Sequence, residues 1–433
     1  MIDSGMENRA KPYFDDYTRI LCEELKPALG CTEPVAIAYA SASAVHALGR
    51  RPDKLVVYCS GNVVKNVKGV TVPNSGGMKG IEAAAILGAV GGDSRRKLEV
   101  LYTITEKNRE ETRALIGTGF CEVELKENTP GLYISVIASS GEESAEAALI
   151  ECHDELAYIK KNGAMQAISN TEKAEDNLDE LREGLNISSI IDYAENVNLE
   201  MIRDVLSQQV ELNRAIAEEG LRNNYGCSIG KTLKKYYDWD DVRIRARAKA
   251  SAGSDVRMSG GAYPVVINSG SGNQGLTVSL PVIEYGEYLG VGEDRTLRAL
   301  ALSNLAAIHQ KKYIGPLSAY CGAVSAAAGA SAGIAYLMGG KEEAISNAIS
   351  NTLAMVGGIV CDGAKASCAA KISSSLEAAI LAVEMSLEAN MSFESGDGLV
   401  KEDVEKTIQA FGKVGKDGMR ETDREILSIM LED

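Results

Sequence analysis

YIGPLSAYCGAVSAAAGASAGIAYLMGG, residues 313–340, carries no charged side chain and is built largely from Ala, Gly and Ser. The run is long enough to raise the question of a membrane span. Ala, Gly and Ser drive insertion weakly compared with Leu, Ile and Phe, and Pro316 stands near the start. Gly329 and Gly333 form a GxxxG spacing, which lets two helix backbones approach closely. The stretch therefore predicts a buried, tightly packed helix in a soluble protein.

The surrounding sequence agrees. From about residue 187 to the end the pattern is helical almost throughout. ISSIIDYAENV (187–197), LEMIRDVLSQQVELNRAIAEEGL (199–221), DRTLRALALSNLAAIHQKKY (294–313) and EEAISNAISNTLAMVGGIV (342–360) all place apolar residues at three–four spacing. No period of 20–50 residues repeats, so a solenoid is not expected.

Residues 1–165 read as α+β. Tyr13, Tyr17, Ile20, Leu21 and Leu25 mark a helix over 12–26 that Pro27 and Gly30 end. A second helix should start at Thr32–Pro34, since Pro suits the first helical position, and run to Gly49. KLVVYCS (54–60), KLEVLYTI (97–104), GFCEVELK (119–126) and GLYISVIAS (131–139) have strand character. Residues 78–90 and 105–116 read as helices. Residues 145–163 are rich in Ala and Glu, as a helix would be, but the KNG tail and two preceding strands favour a hairpin. The polar segment 166–186 reads as a linker to a mostly α-helical domain, 187–433.

Composition narrows the function. The chain has 433 residues, 45% of them hydrophobic, so a large core needs no staples. Nine cysteines are far below the density of a disulfide scaffold, and the opening MIDSGMENRAKPYFDDY lacks the apolar core of a signal peptide. Reduced thiols and a cytoplasmic location are expected. A net charge of −16 argues against a nucleic acid or an anionic membrane as partner. A small-molecule ligand remains, and a homodimer is compatible with all of this.

Three cysteines sit in glycine- and alanine-rich surroundings: Cys321 in SAYCGAV, and Cys361 and Cys368 in GGIVCDGAKASC. Three thiolates from one chain can hold a [4Fe-4S] cluster and leave its fourth iron open as a Lewis acid. The bland alternative is three small buried hydrophobes, because no CxxC pair announces a metal. GSGNQG (270–275) fits GxGxxG, with PVVIN before it and Asp294 about 20 residues on. A dinucleotide site would need a following βαβ unit in a region that reads as helical. Exposed amides of Ser271, Gly272 and Asn273 before a helix starting near Leu276 suit an anion better, and a plain turn is the simplest reading. Ser75, Gly76 and Lys79 in PNSGGMKG (73–80) have the same character, with an ordinary helix start as the equal alternative. Lys365 suits either a substrate carboxylate or the charge of a thiolate-bound cluster, and Asp362 suits an Asx turn. His46, His153 and His309 fit no catalytic motif and read as structural. Cys31 precedes a helix start, where thiols ionise more readily, but alone reads as packing.

GCTEPVAIAYASA (30–42), PNSGGMKG (73–80), SGSGNQG (269–275) and GGIVCDGAKASCAAK (357–371) together resemble the L-cysteine desulfidases, relatives of the iron–sulfur L-serine dehydratases. The likeness runs in order over nearly the whole chain. It implies a [4Fe-4S] cluster on Cys321, Cys361 and Cys368, and it places Cys31 on the cysteine proposed as general base in that family. It implies a lyase converting L-cysteine to pyruvate, ammonia and hydrogen sulfide. L-Serine is the alternative substrate. GCTEP stands where the serine enzymes carry a serine-rich stretch, and no cysteine follows Cys368 as it does in some of them. The rival classes are a pyridoxal-phosphate lyase using Lys79 or Lys365, and a cluster-binding sensor without turnover.

Overall fold

A computed structural model describes residues 11, 13–167 and 178–432. Half of the segment expected as a linker therefore lies outside the described residues. Leu178–Glu183, within it, forms a short helix.

The helix Gly322–Leu337 lies in the middle of the helical part, with every residue from Ala323 to Leu337 buried. It packs against Gly272–Tyr288, Glu293–Ile314, Glu342–Val356 and Ser367–Ala389. The GxxxG spacing does what its chemistry allows. A Cβ on Gly329 would fall 2.6 Å from the Ser303 carbonyl oxygen, and one on Gly333 would fall 3.0 Å from that of Ala299. The two helices touch backbone to backbone. Among the described residues no helix is long and apolar enough to cross a membrane.

The N-terminal part holds a six-stranded mixed sheet. Its strands, in spatial order, are Cys121–Leu125, Lys54–Cys59, Tyr133–Ser140, Glu143–Ile150, Leu156–Lys161 and Ala164–Met165. The first two run parallel and the rest antiparallel; Leu55 stands opposite Ala138 and Cys59 opposite Ile134. Residues 145–161 are thus a hairpin, with Ala147 across from Ile159. The helix Thr32–Leu48 lies on this sheet and ends at Gly49, whose φ of 80° closes the turn. It meets Gly80–Gly91 at Gly88, where a Cβ would strike the Ala38 carbonyl.

One expected strand is absent. Residues 97–104 form the end of a 3-10 helix, Ser94–Glu99, followed by turns. Leu101 is buried together with Leu98, Val100 and Ile104, which an alternating strand would not permit. One strand was not legible: Pro27–Leu29 pairs antiparallel with Pro264–Val266, so the segment leading to Cys31 is stitched to the helical part.

Candidate active site

Helix starts supply the chemistry. Cys31 is the residue before helix Thr32–Leu48, Cys321 the residue before Gly322–Leu337, and Cys368 stands in the first turn of Ser367–Ala389. Backbone bonds lock Cys321 to Cys361: the Cys321 amide donates to the Ile359 carbonyl at 3.1 Å, and the Cys361 amide donates to that of Ala319 at 2.6 Å. The Cys361–Cys368 turn closes on itself through the Cys368 amide and the Lys365 carbonyl. Burial pushes the Cys321 thiol up to about 12, and the charges of Cys361 and Cys368 add to it. Backbone bonds thus hold Cys321 next to Cys361, and Cys368 closes the turn that follows. Among the described residues no three His, Cys, Asp or Glu stand as ligands of a single metal ion. Sulfurs around a four-iron cluster stand farther apart than ligands of one ion. A buried Cys321 and two half-buried cysteines, with Lys371 nearby, offer thiol donors of the kind that hold iron.

The first turn after Cys31 reaches the same place. The Cys31 thiol donates to Glu33 Oε2 at 3.1 Å, Thr32 Oγ1 donates to the same oxygen at 3.1 Å, and Asn66 Nδ2 donates to Oε1 at 2.9 Å. Asn66 follows Lys65, and a Cβ on Gly363 would fall 2.4 Å from the Lys65 carbonyl oxygen. Gly363, with a φ of 94°, lets the turn between Cys361 and Cys368 press against the segment that holds Glu33. Burial pushes the Glu33 carboxyl up, yet neighbouring His153 and the Cys31 and Thr32 bonds bring it below its ordinary value. Burial, then the Glu33 charge, push the Cys31 thiol well up. The Cys31 thiol thus points at the Glu33 carboxylate, whose charge and burial oppose the ionisation that a helix start favours.

The glycine-rich loop joins both sides. Its helix begins at Gly272, earlier than Leu276, and Ser271 makes no side-chain cap. Gly270 lies against His153, where a Cβ would fall 3.2 Å from Nδ1. Asn273 Oδ1 accepts from Arg257 Nη1 at 2.6 Å, and Gln274 lies against Gly322, next to Cys321. A dinucleotide fold is not formed, since the preceding strand pairs only antiparallel and Asp294 is engaged by Arg203 at 2.8 Å on the surface.

Other expected residues stand apart. Ser75 is buried but gives its hydroxyl to the Met78 carbonyl, while Gly76 and Lys79 are exposed, Gly76 beside Arg113. Their link to the site is Pro73, which packs on Gly30. Lys365 pairs with Asp362 at 2.9 Å, and Asp362 also binds Lys371. Burial opposes, but the two lysines hold its carboxyl down at about 2. Asp362 is an ion-pair hub.

Three groups escaped the sequence reading, Glu33, Arg257 and Lys311; His153, read as structural, lies beside them against Gly270. Lys311 is buried where it feels Cys361, Cys321 and Glu33, and burial pulls its ammonium down to about 8. An acid in a first helical turn and a lysine in a last one both read as answers to the helix dipole. Only their burial shows otherwise.

Thiols and a buried carboxylate at helix starts, with buried cations from the last turns of two other helices, form an enzyme-like arrangement. The chain belongs to the serine dehydratase alpha chain family, whose pattern matches residues 95–428. Cys321, Cys361, Cys368 and Arg257 lie inside the match; Cys31 and Glu33 lie ahead of it. The chain is also similar, over nearly its whole length, to proteins designated UPF0597. That of Lachnoclostridium phytofermentans is 54% identical over 412 residues, covering 95% of this chain and 98% of that one. That of Treponema denticola is 43% identical over 429 residues, with 98% and 99% covered. That of Desulfitobacterium hafniense is 44% identical over 425 residues, with 98% of each covered.

Proposed function

We propose that this protein is a lyase that eliminates the β-substituent of a small L-amino acid, with L-cysteine as the favoured substrate. The reading is supported by the backbone bonds that hold Cys321 beside Cys361, and by Gly363 of the Cys361–Cys368 turn, which presses on the segment whose Asn66 binds Glu33, the partner of Cys31. The three cysteines would hold a [4Fe-4S] cluster. When bound, such a cluster supplies a Lewis acid through its open iron for the departing sulfur.

The chain's own residues account for the protons. Cys31 passes its proton to Glu33, and its sulfur takes the Cα proton of the substrate. The Cα–H electron pair forms the Cα–Cβ double bond, and the Cβ–S pair leaves as HS⁻. Glu33 returns its proton to HS⁻, giving H₂S and restoring both residues. The 2-aminoacrylate tautomerises and is hydrolysed by water to pyruvate and ammonia. Electrons balance without an oxidant or reductant. We further propose the division into 1–165 and 187–433 as domains, with the site where the two meet.

L-Serine is the second reading, favoured by the family's description, and the same proton cycle then releases water. The test is anaerobic reconstitution with iron and sulfide, followed by separate incubations with L-cysteine and L-serine. Pyruvate is measured in both, and sulfide in the first. Sulfide and pyruvate in equal amounts support the desulfidase. Pyruvate from serine alone moves the assignment to a dehydratase. No pyruvate from either removes the lyase reading.

A further inference from the structure

Arg257 stands in the last turn of the helix Val242–Met258 and is 2% exposed. A guanidinium cannot shed its proton in a protein, so burial leaves it charged and in need of an anion. Among the described residues it makes no ion pair. Nη1 donates to Asn273 Oδ1 and Nη2 to the Gly30 carbonyl, both neutral acceptors. Nε is buried and has no hydrogen-bond partner. The negative charge that reaches it is that of Glu33, which also accepts from the Cys31 thiol.

The loop beside it is shaped around this side chain. A Cβ on Gly272 would fall 2.5 Å from Arg257 Nε and 2.6 Å from Cζ, so only glycine lets the helix start lie against the guanidinium. That helix runs 17 residues from Gly272 to Tyr288, and its first turn has no side-chain cap. Uncapped amides at a helix start form an anion site when a second cationic group faces them.

We propose that Arg257, with the first-turn amides of the Gly272–Tyr288 helix, binds the α-carboxylate of the amino-acid substrate. This rests on the lyase reading and extends it: the reacting residue must carry a free α-carboxylate, so amino-acid amides and esters, and cysteine anywhere but at a peptide's C-terminus, are excluded. Arg257 also orients the reaction, because its second amino group holds the carbonyl preceding Cys31. Carboxylate and base are thus set by one side chain.

The experiment uses the anaerobically reconstituted protein and two ligands without a leaving group, L-alanine and L-alaninamide, which differ in the carboxylate. Calorimetric titration and thermal shift should show L-alanine binding at least 30-fold tighter than the amide. Arg257→Met should lose that preference, and Arg257→Lys, which keeps charge but not the fork, should fall between. In steady-state assays Arg257→Met should raise KM for the substrate by about 100-fold, as loss of a bidentate charged contact implies. Equal binding of the two ligands by the unaltered protein overturns the proposal without any variant. So does an Arg257→Met variant that melts cooperatively and keeps its KM within threefold. Carboxylate-selective binding that depends on Arg257, with no elimination from cysteine or serine, upholds the carboxylate site and sinks the lyase reading instead.

Discussion

The thiol of Cys31 donates a 3.1 Å hydrogen bond to the carboxylate of Glu33, two residues on in the same helical turn. Both groups are buried, and the carboxylate carries further bonds from Thr32 and Asn66. A helix N-terminus favours negative charge. Here that charge rests on Glu33, and it raises the cost of ionising the sulfur beside it. In the proposed reaction the base is therefore this pair, whose members exchange one proton, rather than a lone activated cysteine.

Glu33→Gln keeps the shape and leaves Cys31 without a proton acceptor. Turnover in the reconstituted protein should fall by about 10²–10⁴-fold, the usual contribution of base catalysis. Iron content should stay unchanged. Cys31→Ser should give the same pattern. Near-normal turnover in Glu33→Gln would leave Cys31 acting alone, and loss of iron in Cys31→Ser would make Cys31 a ligand.

Replacement of Cys321, Cys361 or Cys368 by Ser should act on the cluster itself. Each single variant should lose the broad visible absorbance of the reconstituted protein and most of its iron, because cluster ligation requires thiolate donors. The backbone bonds that lock Cys321 to Cys361 do not involve the sulfurs, so the far-ultraviolet dichroism should not change. Full iron retention in any one variant would remove that residue from the ligand set.

Sequence carried the elements whose signals are local. Thr32, Pro34 and Gly49 marked a helix to within a residue, and KNG marked the tight turn that ends strand Leu156–Lys161. The run 97–104 misled because Leu98, Val100, Leu101 and Ile104 have strand composition, while Asp93 caps a 3-10 turn by accepting from the Arg95 amide and Lys97 turns with a φ of 48°. The pairing of Pro27–Leu29 with Pro264–Val266 joins residues too far apart for any periodicity to register. Arg257 was hidden for another reason. It follows Arg243, Arg245, Arg247 and Lys249 on one helix, where a basic series reads as a solvated face. The others do find partners: Asp241 for Arg243, Glu284 for Arg245 and Lys249, and Glu377 for Arg247. Only the last arginine turns inward.

The central packing makes a separate claim. Gly329→Val would push a branched side chain into the Ser303 carbonyl, 2.6 Å from its Cβ, and into Ala307 at 2.9 Å. Backbone cannot yield as a side-chain tip can. Overpacking of this kind costs about 1–3 kcal/mol, and the rigid neighbour puts this case at the upper end. Gly358→Ala meets nothing within 4 Å and serves as the control. Chemical denaturation should separate the two variants clearly. Similar midpoints would mean that the helix pair can spread at little cost.

Asp255 sets a pH dependence of stability that does not pass through the cluster. Its carboxyl is buried and accepts from the Gly230 amide at 3.1 Å, while Oδ1 has no partner. Burial raises it to about 7, against the opposing amides of Gly230 and Ile229. The unfolded chain releases this proton near pH 4. Between those two values the folded state holds more protons than the unfolded one, so stability falls as pH rises through the window. The loss is complete only above about pH 7, where the folded state must bury an ionised carboxylate. Asp255→Asn removes the ionisation and keeps an oxygen for the Gly230 amide. The variant should match the unaltered protein near pH 4 and exceed it at pH 8. The expected difference is on the order of 2–4 kcal/mol, since one pKa unit corresponds to about 1.4 kcal/mol and water relaxation lowers the total. Urea titrations at both pH values measure it. Parallel stability profiles for the two proteins across that window would show that Asp255 ionises in the folded state as it does in water.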